Sequence, residues 1–249
     1  MNKITKLFLR TFCISSFSIY SLTAAAFIPK FTDLPYVVTV SGNSAWEKAG
    51  HTQTLLLAPG IEKTYKAKKK THSFAEGQVF VGVQSPISQL LLSQVGLAAL
   101  TTSSAKLSGD VWDDADPQFN NHTYNYRVTH SHLALKTKLL ANLDPSFIPW
   151  ISVTAGLAFN RAHSFINAPT IFAALPSPNF DNHITRTFTY RLGLGFQHHL
   201  NKNLQVGLGY EFADWGKSKL GKVSPTSGHG PALSHFYSHN IALNLTLLI

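Results

Sequence analysis

The stretch NLQVGLGYEFADWG, residues 203–216, alternates between two kinds of side chain. Leu204, Val206, Leu208, Tyr210 and Phe212 are apolar, while the residues between them are small or polar. Successive side chains of a β-strand point to opposite faces, so this pattern predicts a strand with one apolar face and one polar face. The fold then depends on whether the apolar face meets a protein core or lipid.

Seven further stretches predict strands with the same period of two. The alternation is strict in residues 150–160, 186–197 and 237–249. It is weaker upstream, in residues 36–46, 76–84, 91–103 and 127–140.

The segments between these eight predicted strands alternate in length. Residues 85–88, 142–149 and 200–203 are short connections. Between them lie long connections at residues 47–72, 104–122, 161–184 and 214–235. A barrel with short turns at one rim and long loops at the other has this order, whereas a soluble sandwich gives no reason for it.

Composition and the N-terminus point to an exported protein. The chain is 44% hydrophobic and only 13% charged, about half the usual charged fraction. Lys3, Lys6 and Arg10, an apolar stretch and Ala24–Ala26 predict a signal peptide over residues 1–26, with a barrel domain over residues 27–249. Without the signal the chain has 21 − 3 = 18 cationic and 12 acidic residues, and no cysteine remains. No later segment has the roughly 18 apolar residues that predict a transmembrane helix.

The size of the side chains on the apolar faces indicates whether these faces point into or out of the barrel. Eight strands enclose too little space for so many large side chains, so the apolar faces are expected to point outward into lipid. We therefore predict an all-β protein, an eight-stranded antiparallel up-and-down transmembrane β-barrel. It is expected to be a monomer in the outer membrane with both termini in the periplasm. The alternative is a soluble, lipocalin-like barrel with a bulky core.

This orientation assigns places to several side chains. Lys136, Lys138, Arg191 and Glu211 fall on the polar faces and are expected inside the barrel, where they can pair. Aromatic residues near strand ends are typical of membrane interfaces, and this role is predicted for Trp150, Tyr210, Trp215 and Tyr237.

With its export signal, eight strands, three short turns and four long loops, the chain resembles the small outer-membrane barrels of Gram-negative bacteria. These are the OmpA transmembrane-domain, OmpX and opacity-protein types. The stretch GLGYEFADWGK, residues 207–217, resembles the penultimate strand of that family. The resemblance implies the barrel and its location and says almost nothing about activity. The chain departs from the family by ending in Ile249, where an aromatic residue is usual.

Two charged loop segments are candidate binding regions. KTYKAKKK, residues 63–70, carries Lys63, Lys66, Lys68, Lys69 and Lys70, which would attract the phosphates of lipopolysaccharide, surface glycans or host polyanions. Its alternative role is a solvated loop. DVWDDADPQF, residues 110–119, contains four aspartates that could pair with these lysines, remain solvated or bind Ca²⁺, although the spacing does not match an EF-hand.

Histidines and the third long loop offer weaker hypotheses. His130 and His132 share a strand face and could bind a metal if a third ligand arrived, or be polar residues of the rim. His235, Ser238 and His239 invite comparison with lipid A deacylases, whose triad also needs a carboxylate such as Asp214 or Glu211. The apolar loop over residues 167–180 could pack over the barrel mouth or touch a partner.

The function expected from these features is structural or adhesin-like, with long loops that meet the environment, lipopolysaccharide or a host. We predict no catalytic residue, metal, cofactor or nucleic-acid partner. The alternatives are a lipid A-modifying enzyme and a narrow channel. A carboxylate bonded to His235 or His239 beside Ser238 would favour the enzyme. A lumen open past Arg191, Lys136 and Glu211 would favour the channel.

Overall fold

The computed structural model describes residues 34–141, 143–144, 146–172, 174, 177–223 and 228–249. The predicted signal peptide lies outside these residues. In the part of the chain that is described, no helix is long and apolar enough to cross a membrane.

The chain forms thirteen strands in the described residues, joined by turns and loops. A short 3-10 turn at Pro117–Phe119 precedes β7. The strands are β1 (Tyr36–Glu47), β2 (Gln53–Ala58), β3 (Ile61–Ala67), β4 (His72–Ser88), β5 (Leu91–Thr102), β6 (Ala105–Asp113), β7 (Asn120–Ala141), β8 (Ile148–Pro169), β9 (His183–His199), β10 (Leu204–Asp214), β11 (Ser218–Lys219), β12 (Ala232–Leu233) and β13 (Tyr237–Leu248).

Eight of these strands form a closed antiparallel ring in the order β1, β4, β5, β7, β8, β9, β10 and β13. The ring closes where β13 pairs with β1, with Val40 opposite Leu245. These are the eight strands that the alternation predicts, so the predicted fold class is confirmed. Closure pairs the backbone of every ring strand on both sides, which a sheet in lipid requires.

The two faces of the ring differ as the sequence predicts. Leu194, Leu208 and Leu243 are 58%, 38% and 62% exposed on the outside, whereas polar residues such as Thr154 and Asn240 are buried inside. The soluble alternative with a bulky core is therefore wrong. We call the outward apolar residues the apolar belt: Val40, Val79, Val81, Leu97, Leu133, Leu135, Ile151, Val153, Leu157, Phe159, Phe188, Leu192, Leu194, Leu208, Ile241, Leu243 and Leu245.

Strands β7 and β8 run on beyond the ring, and β7 there continues the same sheet into an extracellular extension, which we call the extracellular sheet. There β7 pairs with β6, β6 with β3 and β3 with β2. The sequence pattern predicts loops for the segments that contain β2, β3 and β6. The structure shows instead that these segments form paired strands. The Gln53 side chain donates to the Ala232 carbonyl (2.7 Å) and accepts from the Ala232 N–H (3.1 Å), which ties the edge strand β2 to β12.

An apolar core lies beneath the extracellular sheet, above the polar lumen. Tyr65 meets Tyr124 and Phe180 edge to face, each with 5.5 Å between ring centroids. Phe180 comes from the third long loop, whose packing over the barrel mouth was one of the two predicted roles. Aromatic side chains bury large areas, so this cluster stabilises the ordered loops. We call it the aromatic cap: Tyr65, Phe74, Tyr124, Tyr126, Phe165, Phe180, Trp215 and Phe236.

Candidate functional site

The centre of the barrel holds four buried charged residues from four strands. Arg191 Nη2 lies 2.6 Å from Glu76 Oε1 and 2.8 Å from Glu211 Oε2. Lys136 Nζ lies 3.1 Å from Glu211 Oε1 and donates to Gln78 Oε1 at 2.8 Å. We call Glu76, Lys136, Arg191 and Glu211 the interior charge network. Sequence reasoning placed three of its members inside but overlooked Glu76, although Glu76 shares the parity of Gln78 on β4.

A second polar layer lies on the periplasmic side of this network. Lys138 Nζ donates to Gln197 Oε1 at 2.5 Å, and Gln197 donates to Gln205 Oε1 at 2.7 Å. The Lys138 ammonium also lies 4.6 Å from the ring centroid of Trp150. The cavity between these layers measures about 10 Å³, roughly the space that one water molecule needs. Side chains therefore fill the lumen at this level.

Trp150 and Trp215 point into the barrel, which corrects their assignment to the membrane interface. Trp150 is 4% exposed and Trp215 is fully buried in the aromatic cap. Glycines on β9 and β10 make room for Trp150, since a Cβ at Gly209 would lie 2.4 Å from its Cζ2 atom. The general preference of tryptophan for interfaces misled the assignment, because Trp150 has the parity of the inward residues Ser152 and Thr154.

We expect Gly209→Ala to destabilise the barrel by about 1–3 kcal/mol, because the added methyl group overpacks the site of Trp150. Unfolding in detergent micelles, followed by heat-modifiable gel migration, would measure the change. Gly42→Ala is the matched control, since nothing lies within 4 Å of a Cβ there. Adding Trp150→Leu to Gly209→Ala should recover part of the loss. Equal effects of the two alanine substitutions would contradict the expectation.

The other two predicted interface aromatics do point outward. Tyr210 and Tyr237 are exposed on the outer face. The Tyr210 hydroxyl lies 2.5 Å from His239 Nδ1, and Tyr237 stacks on Phe212 with 5.7 Å between centroids. Trp46, which sequence reasoning did not select, stacks on His239 at 6.3 Å. The sequence could have indicated that Trp46 points outward, because it lies an even number of positions from the outward residue Val40.

The loop lysines divide into paired and unpaired residues. Lys63 lies 2.8 Å from Asp113, and Lys68 lies 2.5 Å from Asp110, which is the pairing between the two charged loops considered above. Partial burial alone would raise the pKa of the Asp113 carboxyl, but hydrogen bonds from Lys63 and Asn121 and the Lys63 charge lower it overall.

The remaining lysines of this segment stay available to solvent. Lys66 Nζ lies 4.9 Å from the Trp112 ring centroid. Lys69 and Lys70 are exposed and make no ion pair with the described residues. Within the described ranges, no three His, Cys, Asp or Glu side chains are arranged to hold a metal ion.

A cavity of about 560 Å³ opens at the extracellular rim beside β1 and β13. We call it the rim cavity. Its lining includes Trp46, Lys48, His51, Lys69, His235 and His239. The carboxylate in the lining, Glu47, is buried and accepts a hydrogen bond from the Ala49 N–H. The lining therefore presents cationic and aromatic groups to solvent.

The structure brings together only part of the arrangement that a hydrolase triad requires. His235 Nδ1 lies 2.8 Å from Asp214 Oδ2 at the rim cavity, so the carboxylate that the enzyme hypothesis requires is present. Ser238, however, is buried inside the barrel, where it accepts from Trp215 Nε1 at 2.8 Å. Because neighbouring residues of a strand face opposite ways, Ser238 and His239 do not meet.

His130 and His132 are also buried, beside the aromatic cap. His130 Nδ1 lies 2.8 Å from Asn160 Oδ1, and its ring stacks on Trp215 with 4.7 Å between centroids. His132 lies 5.5 Å from the same Trp215 ring. Both therefore contribute to packing above the lumen.

A closed eight-stranded barrel with a filled polar interior and an outward apolar belt defines a transmembrane β-barrel of the outer-membrane type. The protein resides in the outer membrane and has the fold of the small eight-stranded barrels.

Comparison with solved structures returns chains of low sequence identity, each with a TM-score below 0.5. Neisserial surface protein A is 8% identical, with 85% of this chain and 96% of that chain covered and a TM-score of 0.44. OprG from Pseudomonas aeruginosa is 11% identical, with 86% and 96% covered and a TM-score of 0.46. Ail of Yersinia pestis is 9% identical, with 87% and 99% covered and a TM-score of 0.38. No family model and no curated protein matches the chain.

Proposed function

We propose that the protein is a non-conducting, adhesin-like surface protein whose extracellular loops bind polyanions. The observation that carries the proposal is the set of exposed cations at the rim cavity, above a filled lumen. Lys48 and Lys69 line the cavity, and Lys70 follows Lys69 in the chain; all three are exposed and make no ion pair with the described residues.

The filled lumen supports a role outside the barrel. The interior charge network crosses the lumen from β4 to β10, and the space below it holds about one water molecule. Above it lies the aromatic cap. A solute moving along the axis would have to displace buried ion pairs and then an apolar core, so we expect no conductance in a planar bilayer.

The extracellular sheet supports a binding role because it is ordered before any ligand arrives. Its strands are paired from β2 to β7, and Gln53 fastens the free edge. Binding to a preorganised surface avoids the entropy cost of ordering a loop. Salt bridges from Lys63 and Lys68 hold the lysine segment against β6 and leave Lys69 and Lys70 for an external anion.

The test is binding of outer-membrane vesicles carrying the full chain to a heparin-coated surface. We expect Lys69→Glu with Lys70→Glu to weaken binding on the order of tenfold, because two favourable contacts become repulsive. Added salt should weaken the wild type in the same direction. Lys202→Glu, in the exposed turn between β9 and β10 at the opposite rim, is the matched control and should bind like the wild type. Equal binding by the double variant and the wild type would overturn the proposal.

A further inference from the structure

Four cationic side chains lie on the outer face of four neighbouring strands, on the extracellular side of the apolar belt. They are Lys106 on β6, Arg127 on β7, Arg161 on β8 and Arg186 on β9, and all are exposed. We call them the cationic stripe. Lys106 lies directly opposite Arg127. None of the four was singled out from the sequence, because they are scattered over 81 residues.

The register brings the three arginines together. Arg127 is opposite His163, and Arg161 is opposite Thr129, which makes Arg127 and Arg161 diagonal neighbours. Arg161 is opposite Ile184 and Arg186 is opposite Phe159, so these two arginines are diagonal neighbours as well. Diagonal neighbours on one sheet face are about 7–8 Å apart, within reach of one ligand for long side chains.

On β8 and β9 the stripe adjoins the apolar belt, where lipid chains give way to headgroups, whereas on β7 the outward residues Thr129 and Ser131 lie between Arg127 and the belt. Inward neighbours such as Val128 and Ala162 are fully buried, so the cationic side chains point out of the barrel. On β8 the next outward residue toward the periplasm is Phe159, and on β9 it is Phe188, both in the apolar belt. One outward position is two residues, or about 7 Å along a strand.

Among the described residues, the stripe has no acidic partner on its own face. Its opposite and diagonal neighbours in the described sheet are neutral or basic, including Thr129, His163 and Ile184. Partial burial and the charges of Arg161 and Arg127 lower the pKa of His163. Like charges directly opposite each other destabilise a sheet, so the Lys106–Arg127 pair leaves an unfavourable interaction that an external anion would relieve.

We propose that the cationic stripe binds the phosphate groups of a phosphorylated lipid of the outer leaflet, the class to which lipopolysaccharide belongs. Guanidinium groups bind phosphate oxygens with two parallel hydrogen bonds. A lipid is the occupant because Arg161 and Arg186 continue directly from the apolar belt on β8 and β9, so one molecule can place acyl chains on Leu157 and Phe188 and its phosphate on the arginines. This site is separate from the rim cavity and does not depend on the function proposed above.

Retention of lipid by the full chain tests the proposal. Protein reconstituted in phosphatidylcholine vesicles with diphosphorylated lipid A, or with dephosphorylated lipid A, is extracted into detergent, and the bound lipid is counted by native mass spectrometry. We expect the folded wild type to retain the phosphorylated form at least about tenfold more than the dephosphorylated form. Equal retention of the two forms would overturn the proposal without any variant.

Variants locate the site. Arg127→Gln, Arg161→Gln and Arg186→Gln together should lower retention to that of the dephosphorylated lipid, while Lys217→Gln, an exposed extracellular cation outside the stripe, should leave it unchanged. Heat-modifiable migration shows whether each variant is folded. Unchanged retention by the folded triple variant would refute the stripe as the site. Displacement of the lipid by inorganic phosphate at equal concentration would show a free-anion site and would also overturn the proposal.

Discussion

Arg191→Met is expected to lower the free energy of unfolding by about 3–5 kcal/mol, the usual cost of removing one partner from a buried ion pair. Arg191 contacts both carboxylates of the interior charge network. After its removal Lys136 still pairs with Glu211. Glu76, fully buried, keeps only the hydrogen bond from the Asn43 side chain. An uncompensated carboxylate in the lumen is the cause of the expected loss.

A second substitution separates this cause from simple loss of packing. Glu76→Gln added to Arg191→Met removes the stranded charge and leaves the Lys136–Glu211 pair balanced, so most of the lost stability should return. Lys202→Met, an exposed cation in the turn between β9 and β10, is the control and should unfold like the wild type. Urea unfolding in micelles, read by heat-modifiable migration, gives all the values. Purely additive effects of the two interior substitutions would contradict a coupled network.

Leu243→Arg is expected to destabilise the folded barrel by about 2–4 kcal/mol, the cost of a cation on the lipid face at the middle of a bilayer. Leu243 lies near the middle of β13 and is 62% exposed on the outside. In a water-soluble barrel an exposed leucine could be replaced by arginine with little effect. The size of the loss therefore measures contact with hydrocarbon, by the same unfolding assay in lipid vesicles.

Depth along the strand provides the control for this experiment. Ser73 is an exposed outward residue near the extracellular end of β4, opposite Trp46. Ser73→Arg should cost only about 0–1 kcal/mol, since the penalty falls toward the interface. If arginine at residues 73 and 243 had the same effect, the apolar belt would not be in contact with lipid.

The interior charge network also explains how a narrow barrel tolerates charges. Each charge in the lumen is expensive to remove from water, and it persists only where a partner and hydrogen bonds compensate it. Two carboxylates here face Arg191 and Lys136, and Gln78 and Asn43 supply further hydrogen bonds. The same side chains that satisfy this requirement also fill the lumen.

The sequence by itself determined the ring of eight strands and which side chains of each strand point into the barrel or out of it. The reason is local: parity along a strand decides the face, and bulk decides which face can fit inside. The parity rule also predicts the correct face for the two tryptophans that were assigned to the membrane interface. Parity put Trp150 and Trp215 inside, and only a general preference for interfaces suggested otherwise.

Only the tertiary structure decided which residues meet. Arg191 pairs with Glu76 across 115 positions of the chain, and the cationic stripe is assembled from four strands by their register. The extracellular sheet is likewise decided by long-range pairing, since β3 finds its partner β6 more than forty residues away. Alternation in the sequence predicts which face of the strand a residue occupies, but not which residue it contacts. Contacts across the barrel depend on ring closure and strand stagger, which are properties of the whole barrel.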